Sequence, residues 1–405
     1  MLTLNQLLYM LFLRNNHRLL ILALAALWSW AAVAWGNDSI PFLYRSHLYL
    51  PACINNEHQA NIIFDTGAAS IFGIDSVYFS ASGWHPQNMG WGRTGGGAGK
   101  TRVKVIIDST MLSIGSLNSI YEIVPIFRLR DVVDCHVDGI WGIKDIEQYP
   151  LEINFEHNFL KHYTDGNPSV EGYERLPIRY QDHRILVQAE VLVGGKNIQG
   201  WFLMDTGAGS SVSFSAKSVE QFGLESLPGK RYIKDMTQFG IGDKAQEEIV
   251  VMQSERIVIG TDTTSNEIIS YLPDGIGAFG NKEYIGIIGN QLLSKFNLII
   301  DIAHNTLYLK RFKEDQPFKP NYDFGFRNRT DIGKGWIVSS LTRDGDAARA
   351  GLQLNDRIIA INSRPVEDYT WEEEYRLNRL SQITLDVIGT DGESKQITLS
   401  PALRW

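Results

Sequence analysis

The sequence predicts a mainly β protein: two pseudo-symmetric β lobes in one chain, followed by a smaller C-terminal unit. Three observations predict it. The stretch Asn61-Ile-Ile-Phe-Asp65-Thr-Gly-Ala-Ala-Ser70 returns as Trp201-Phe-Leu-Met-Asp205-Thr-Gly-Ala-Gly-Ser210, at an offset of 140 residues. The 37 glycines cluster between short β-branched and aromatic runs, as turns between strands require. At 405 residues the chain exceeds one compact core and divides into about two or three domains.

Composition narrows the function. Lys and Arg number 38 against 46 Asp and Glu, a net charge of −8 without basic runs, which argues against nucleic acid as a partner. Two cysteines, Cys53 and Cys135, are too few for a disulfide framework or a cysteine-based zinc site. No spacing of His, Asp and Glu suggests a metal centre.

Residues Leu19 to Ala34 are apolar, follow Arg14, His17 and Arg18, and close on Ala32-Val33-Ala34. A basic flank, a short apolar core and a small-residue end make residues 1–34 a signal peptide cut after Ala34. The run is short of the roughly 20 residues that span a bilayer, so retention as a membrane anchor is the lesser reading, and only then is a membrane a partner. The expected location is periplasmic or extracellular, where Cys53 and Cys135 either pair or stay buried thiols.

The lobes are expected over residues 38–172 and 173–315. In each, a hairpin precedes the Asp: Leu48 to Ile54, a turn at Asn55-Asn56 and a return through Asn61 to Phe64, then Leu186 to Val193, Gly194-Gly195 and Gly200 to Met204. Further strands are expected at Val103 to Ile107 and Ile249 to Ile259, with short helices at Asn290 to Phe296 and at the start of each region after Asp-Thr-Gly. A second echo runs at an offset of 147: Val137-Asp-Gly-Ile-Trp-Gly142 against Tyr284-Ile-Gly-Ile-Ile-Gly289, then Leu151 to Leu160 against Leu298 to Leu307. His157 and His304 stand beside Asn158 and Asn305 there and read as turn residues.

One Asp-Thr-Gly is ordinary turn material. Two in repeat-equivalent places, each after a buried run, point to paired carboxylates. Carboxylates about 3 Å apart cannot both ionise, so they share one proton. One then acts as general base toward water while the other protonates a scissile carbonyl. Gly67 and Gly207 lack the Cβ that would keep the turns apart, and the Thr66 and Thr206 hydroxyls can donate to backbone across the interface.

At these residues the chain resembles the aspartic proteases. Asp65-Thr-Gly-Ala68, Asp205-Thr-Gly-Ala208 and Ile285-Gly-Ile-Ile-Gly289 are similar to the retroviral (retropepsin-like) branch, while two copies in one chain resemble the pepsin-like arrangement. Asp138-Gly-Ile-Trp-Gly142 is closer to the pepsin form, and no flap tyrosine of the pepsin kind is identified; Trp84 and Trp91 are the nearest large aromatics. The resemblance spans about residues 40–312. It implies that Asp65 and Asp205 face each other across a cleft, that no cofactor or metal is needed, and that glycine-bearing hairpins close over a polypeptide substrate. The flap candidates are Trp91 to Gly99, with Gly95, Gly96 and Gly97, and Phe239-Gly240-Ile-Gly242. The run Gly95 to Thr101 grazes a phosphate-loop pattern, but Thr94 replaces its first glycine and a strand follows where a helix is needed.

Residues 316–321, with two prolines, read as a linker. Beyond them, Asp323-Phe-Gly-Phe326, Gly335 to Leu341, Asp346 to Leu352 and Asn355-Asp-Arg-Ile-Ile-Ala-Ile-Asn362 resemble a PDZ domain over residues 322–405, with Trp371 to Leu380 as the helix beside its groove. The resemblance implies capture of a C-terminal peptide by strand addition, with Phe324, Gly325 and Phe326 as the carboxylate loop. The alternative is a groove covered by the lobes. The leading reading is an aspartic-type endopeptidase. Its rivals are a catalytically silent peptide binder and a scaffold acting through the C-terminal unit.

Overall fold

A computed structural model describes residues 39–403, except residues 70, 239, 244–245, 282, 315–321 and 332–334. The expected signal segment and linker lie outside the described residues. Among the described residues no helix is long and apolar enough to cross a membrane.

The repeat in the sequence becomes a repeat in strand order. In the first lobe the strands run Met89–Gly96, Gly99–Ile106, Val124–Phe127, Phe72–Asp75, Gly139–Trp141, His58–Phe64, His47–Ile54, Thr110–Ile114 and Leu117–Tyr121. Substituting Arg231–Met236, Glu247–Gln253, Ile268–Tyr271, Val212–Phe214, Gly286–Ile288, Lys196–Met204, Arg184–Val193, Arg256–Ile259 and Asp262–Ser265 gives the second lobe in the same order. Even the two parallel pairings recur, next to the strand that precedes the Asp and next to its neighbour. The hairpin turns expected at Asn55-Asn56 and Gly194-Gly195 are present, and all four residues have positive φ.

A six-stranded antiparallel sheet joins the lobes, in the order Ser39–Pro41, Phe159–His162, Leu151–Asn154, Phe296–Asp301, Thr306–Arg311, Glu174–Gln181. At its centre Leu151 pairs with Ile300 and Ile153 with Leu298, all four fully buried. Residues at the 147-residue offset therefore exchange places across a local two-fold axis. Burying such a side chain contributes about 1.5–3 kcal/mol, so this seam holds the lobes as one body.

Three expectations need correction. The regions after Asp-Thr-Gly do not open as helices: the strands Phe72–Asp75 and Val212–Phe214 come first, because each fills a sheet position between two neighbours. Helices Ser76–Ala81 and Ala216–Phe222 follow, capped by the Asp75 and Ser215 side chains. The single strand expected at Ile249 to Ile259 is two, broken where the Ser254 N–H turns to the Glu267 carbonyl. Trp371 to Leu380 is α-helical only over Trp371–Arg376, beginning with a Thr370–Glu373 capping box, and then tightens to a 3-10 turn.

The C-terminal unit has its own core, with Phe324, Trp336, Val338, Ile358 and Leu385 among the buried residues. Its strand Gly335–Thr342 pairs on one side with Phe326–Asp331. On the other it pairs with Arg357–Ile361 and with Arg231–Met236 of the second lobe. The sheet of the second lobe thus continues into the C-terminal unit.

Candidate active site

Asp65 and Asp205 each sit just beyond the end of a buried strand. The Asp65 N–H donates to the Trp141 carbonyl and the Asp205 N–H to the Ile288 carbonyl, both at 2.9 Å. Each turn is then folded back by the same contacts: Gly142 N–H to Ile71 O and Ile143 N–H to Ala69 O, matched by Gly289 N–H to Ser211 O and Asn290 N–H to Ala208 O. A Cβ on Gly142 would lie 2.1 Å from the Ala69 carbonyl oxygen, and one on Gly289 2.4 Å from that of Ala208. These downstream glycines let the two segments close on each other.

The threonines cross the seam. Each hydroxyl accepts the other threonine's N–H at 3.0 Å. Thr66 Oγ1 donates to the Met204 carbonyl at 2.6 Å, and Thr206 Oγ1 to the Phe64 carbonyl at 2.9 Å. Both residues are fully buried, so four polar groups per pair are satisfied where water is excluded.

The lock brings the carboxyls together over the opposite glycines. A Cβ built on Gly67 would meet Asp205 Cγ at 2.6 Å, and one on Gly207 would meet Asp65 Cγ at 2.3 Å. Each carboxyl also accepts an N–H two residues on, from Gly67 at 2.7 Å and Gly207 at 2.8 Å. The two carboxyls are hydrogen-bonded to each other. Burial, and then the charge of Asp205, push the Asp65 pKa well above the usual carboxylate range. Burial raises Asp205 too, against the hydrogen bond from Asp65 that favours its ionised form. The pair therefore holds a shared proton to higher pH than either acid would alone.

The tips of the two glycine hairpins meet, and Ile241 of the second packs on the apolar cluster that Ala68, three residues past Asp65, also joins. Ala98, at the tip of the first, donates its N–H to the Ile241 carbonyl at 3.0 Å and forms a bridge with Gly242. A Cβ on Gly240, whose φ is +87°, would lie 2.9 Å from Gly97 Cα, and one on Gly96 2.6 Å from the Ile241 oxygen. A Cβ on Gly95, one step back, would make only ordinary contacts, 3.8 Å from the Gly99 oxygen and 3.9 Å from Lys100 Cγ. Trp91 is 59% exposed beneath the Arg102 guanidinium, and Trp84 is buried against His58 and Phe79, so neither takes a flap tyrosine's place.

Two neighbours of the pair have no counterpart in the repeat. His47 Nε2 lies 3.1 Å from the Gly207 carbonyl, and burial lowers its pKa, so it donates there as a neutral imidazole. Asn290, fully buried, donates to the carbonyls of Thr206 and Ser46 at 2.6 and 2.9 Å. Sequence reasoning places Asn290 only at the start of a short helix and singles out neither it nor His47 as a site residue.

Cys53 and Cys135 are both free thiols. Burial raises the Cys135 pKa to about 11, which keeps it protonated. Asn158 and Asn305 have positive φ at equivalent turns, and the N–H groups of His157 and His304 cap onto Asn154 and Asp301.

In the C-terminal unit Phe324 is buried in the core and Gly325 has φ of +81°. The Gly325 N–H, offered by the sequence for a peptide carboxylate, donates instead to Asp323 Oδ1 at 2.8 Å. Phe326 begins the strand beside the groove and packs against the same core.

The fold and this geometry define a two-lobed β protein with a separate C-terminal module. A family model for the PDZ domain matches residues 316–388, and that module is a PDZ domain, a peptide-binding fold. No curated protein matches the chain.

Proposed function

We propose that the chain is an aspartic-type endopeptidase, exported from the cytoplasm, with Asp65 and Asp205 as its catalytic pair. The observation that carries this reading is the mutual seating of the two carboxyls over Gly207 and Gly67. A water held by both loses a proton to the ionised carboxylate as its oxygen attacks the peptide carbonyl carbon. The protonated partner gives its proton to the carbonyl oxygen, forming a neutral tetrahedral diol. In the collapse the carboxyl that took the water's proton gives it to the amide nitrogen, a diol hydroxyl gives its proton to the other, ionised carboxylate, and the C–N bond breaks to release an amine and a carboxylic acid. Neither metal nor covalent nucleophile enters these steps.

Thr66 and Thr206 fix the spacing, and the two hairpins exclude bulk water from the reacting bond. Incubating the purified chain with a denatured protein, with and without a statine-type mimic of the diol, tests the reading. New peptide termini that appear alone and are suppressed by the mimic are expected. Intact substrate over a broad pH range contradicts it.

A further inference from the structure

The PDZ groove lies between the strand Phe326–Asp331 and the helix Trp371–Arg376. Both walls touch one segment of the first lobe, residues 131–136. From the strand, Arg329 Nη1 donates to Asp131 Oδ1 at 3.0 Å, and Thr330 hydrogen-bonds the Cys135 thiol. From the helix, the Trp371 ring stacks on His136 with centroids 4.3 Å apart and 20° between planes. Its other contact is edge-on to Tyr49 at 4.8 Å. Across the groove, Asn328 Nδ2 donates to Glu374 Oε1 at 3.0 Å, beside the segment. A second tie is the ion pair of Arg45 with Glu372.

The same PDZ domain holds the second glycine hairpin. Asp235 pairs with Leu341, the Arg343 N–H donates to the Ile233 carbonyl at 2.8 Å, and the Thr237 N–H donates to the Ser339 carbonyl at 2.9 Å. Arg343 also bridges to Asp235 and Glu248 on both strands of that hairpin. The hairpin whose tip meets Ala98 is therefore fastened along its outer edge to a domain that is itself fastened to the first lobe. Trp371 and Ile241 even pack on one apolar cluster of the first lobe, with Tyr49, Val103 and Leu129. For the tips to part far enough to admit a polypeptide, either the Arg231–Met236 pairing breaks or the whole domain moves with the hairpin.

We infer that residues 131–136 are the resident ligand of the PDZ groove, and that this internal contact keeps the hairpins shut over the cleft. An outside ligand then competes by offering the same chemistry: a peptide with an acidic side chain for Arg329 and a flat ring for Trp371. It adds along the edge of Phe326–Asp331, where among the described residues no other backbone segment is hydrogen-bonded. Displacing residues 131–136 leaves the Arg45–Glu372 ion pair and the Tyr49–Trp371 contact as the weaker remaining ties, and so loosens the domain and with it the second hairpin. That this gates catalysis rests on the protease reading; the binding and opening do not.

The test uses the full chain, with Asp131→Ala/His136→Ala to vacate the groove and leave its walls intact, and a labelled synthetic peptide of residues 129–138 as probe. The peptide is expected to bind the variant at least tenfold more tightly than the parent, because it no longer competes with the tethered copy. Backbone amides of residues 96–99 and 240–242 are expected to exchange at least tenfold faster in the variant, while those of Val338 and Leu385 keep their rates. Arg329→Ala, a change at a part-exposed side chain, is expected to speed exchange at the same tips but not to gain peptide affinity. Equal peptide binding by parent and variant, or unchanged exchange at the tips in both folded variants, overturns the inference. Faster exchange without any cleavage by any variant upholds the clamp and removes the protease reading.

Discussion

Gly207 lies directly beneath the carboxyl of Asp65: a single methyl group on its α-carbon would stand 2.3 Å from Asp65 Cγ. The reciprocal contact, Gly67 under Asp205 at 2.6 Å, makes the pair a mutual clasp in which each turn supplies the floor of the other's acid. No flexible atom at those positions can yield, since Thr66 and Thr206 pin both turns from behind.

Gly207→Ala is therefore expected to force the carboxyls apart without unfolding the lobes. Loss of at least about a thousandfold in kcat/KM is expected, since general acid–base assistance is worth about 10²–10⁴. Circular dichroism is expected to be unchanged, and a protein that cleaves normally would show that the close approach is dispensable.

Thr66→Ala removes one hydroxyl and strands the Thr206 N–H and the Met204 carbonyl in a buried seam. Each orphaned group costs about 1–3 kcal/mol, so a destabilisation of roughly 2–4 kcal/mol is expected in chemical denaturation. Thr66→Ser keeps the hydroxyl and is expected to recover most of that loss. Equal behaviour of the two variants would contradict the assignment.

The raised acids also make stability depend on pH. Folding lifts the Asp65 pKa, so between the unfolded and folded values the native state holds more protons than the unfolded chain. Its contribution is fully present below the ordinary carboxyl range and is lost as pH rises through the folded value. Asp65→Asn, which cannot ionise, escapes that loss. It is expected to melt higher than the parent near pH 7, by about 2–4 °C per kcal/mol relieved, with the gap closing toward pH 3. A constant gap across pH would show that the carboxyl does not titrate abnormally.

Cleavage needs one proton on the pair, so its pH profile is expected to be bell-shaped. The basic limb follows the raised Asp65 value and lies above the ordinary carboxyl range. His47→Phe removes the donor to the Gly207 carbonyl and is expected to lower kcat more than it raises KM, since it positions a turn and touches no substrate. An unchanged kcat would leave His47 a packing residue.

Much of this site was legible because the chain says it twice. Asp65 and Asp205 stand out through the shared Asp-Thr-Gly-Ala, and the later Gly142 and Gly289 through the second echo; the folded strand order repeats with the same regularity. What broke the symmetry was not legible. His47 and Asn290 act on one turn only, through contacts between residues 160 and 84 positions apart respectively, and no local pattern encodes such pairs. The helices expected straight after Asp-Thr-Gly failed because sheet neighbours claimed those residues first, a tertiary demand that outweighs local propensity. Docking of the PDZ domain through Arg231–Met236 was equally hidden, since an edge strand looks alike whether its partner is solvent or another domain.

The most direct measurement is the rate at which parent, Asp65→Asn and Asp205→Asn proteins cut one denatured substrate, each shown to be folded. Cleavage by the parent, lost at least about a thousandfold in both single variants, is the expected result. A variant that retains the parent's rate would mean the two acids do not work as a pair.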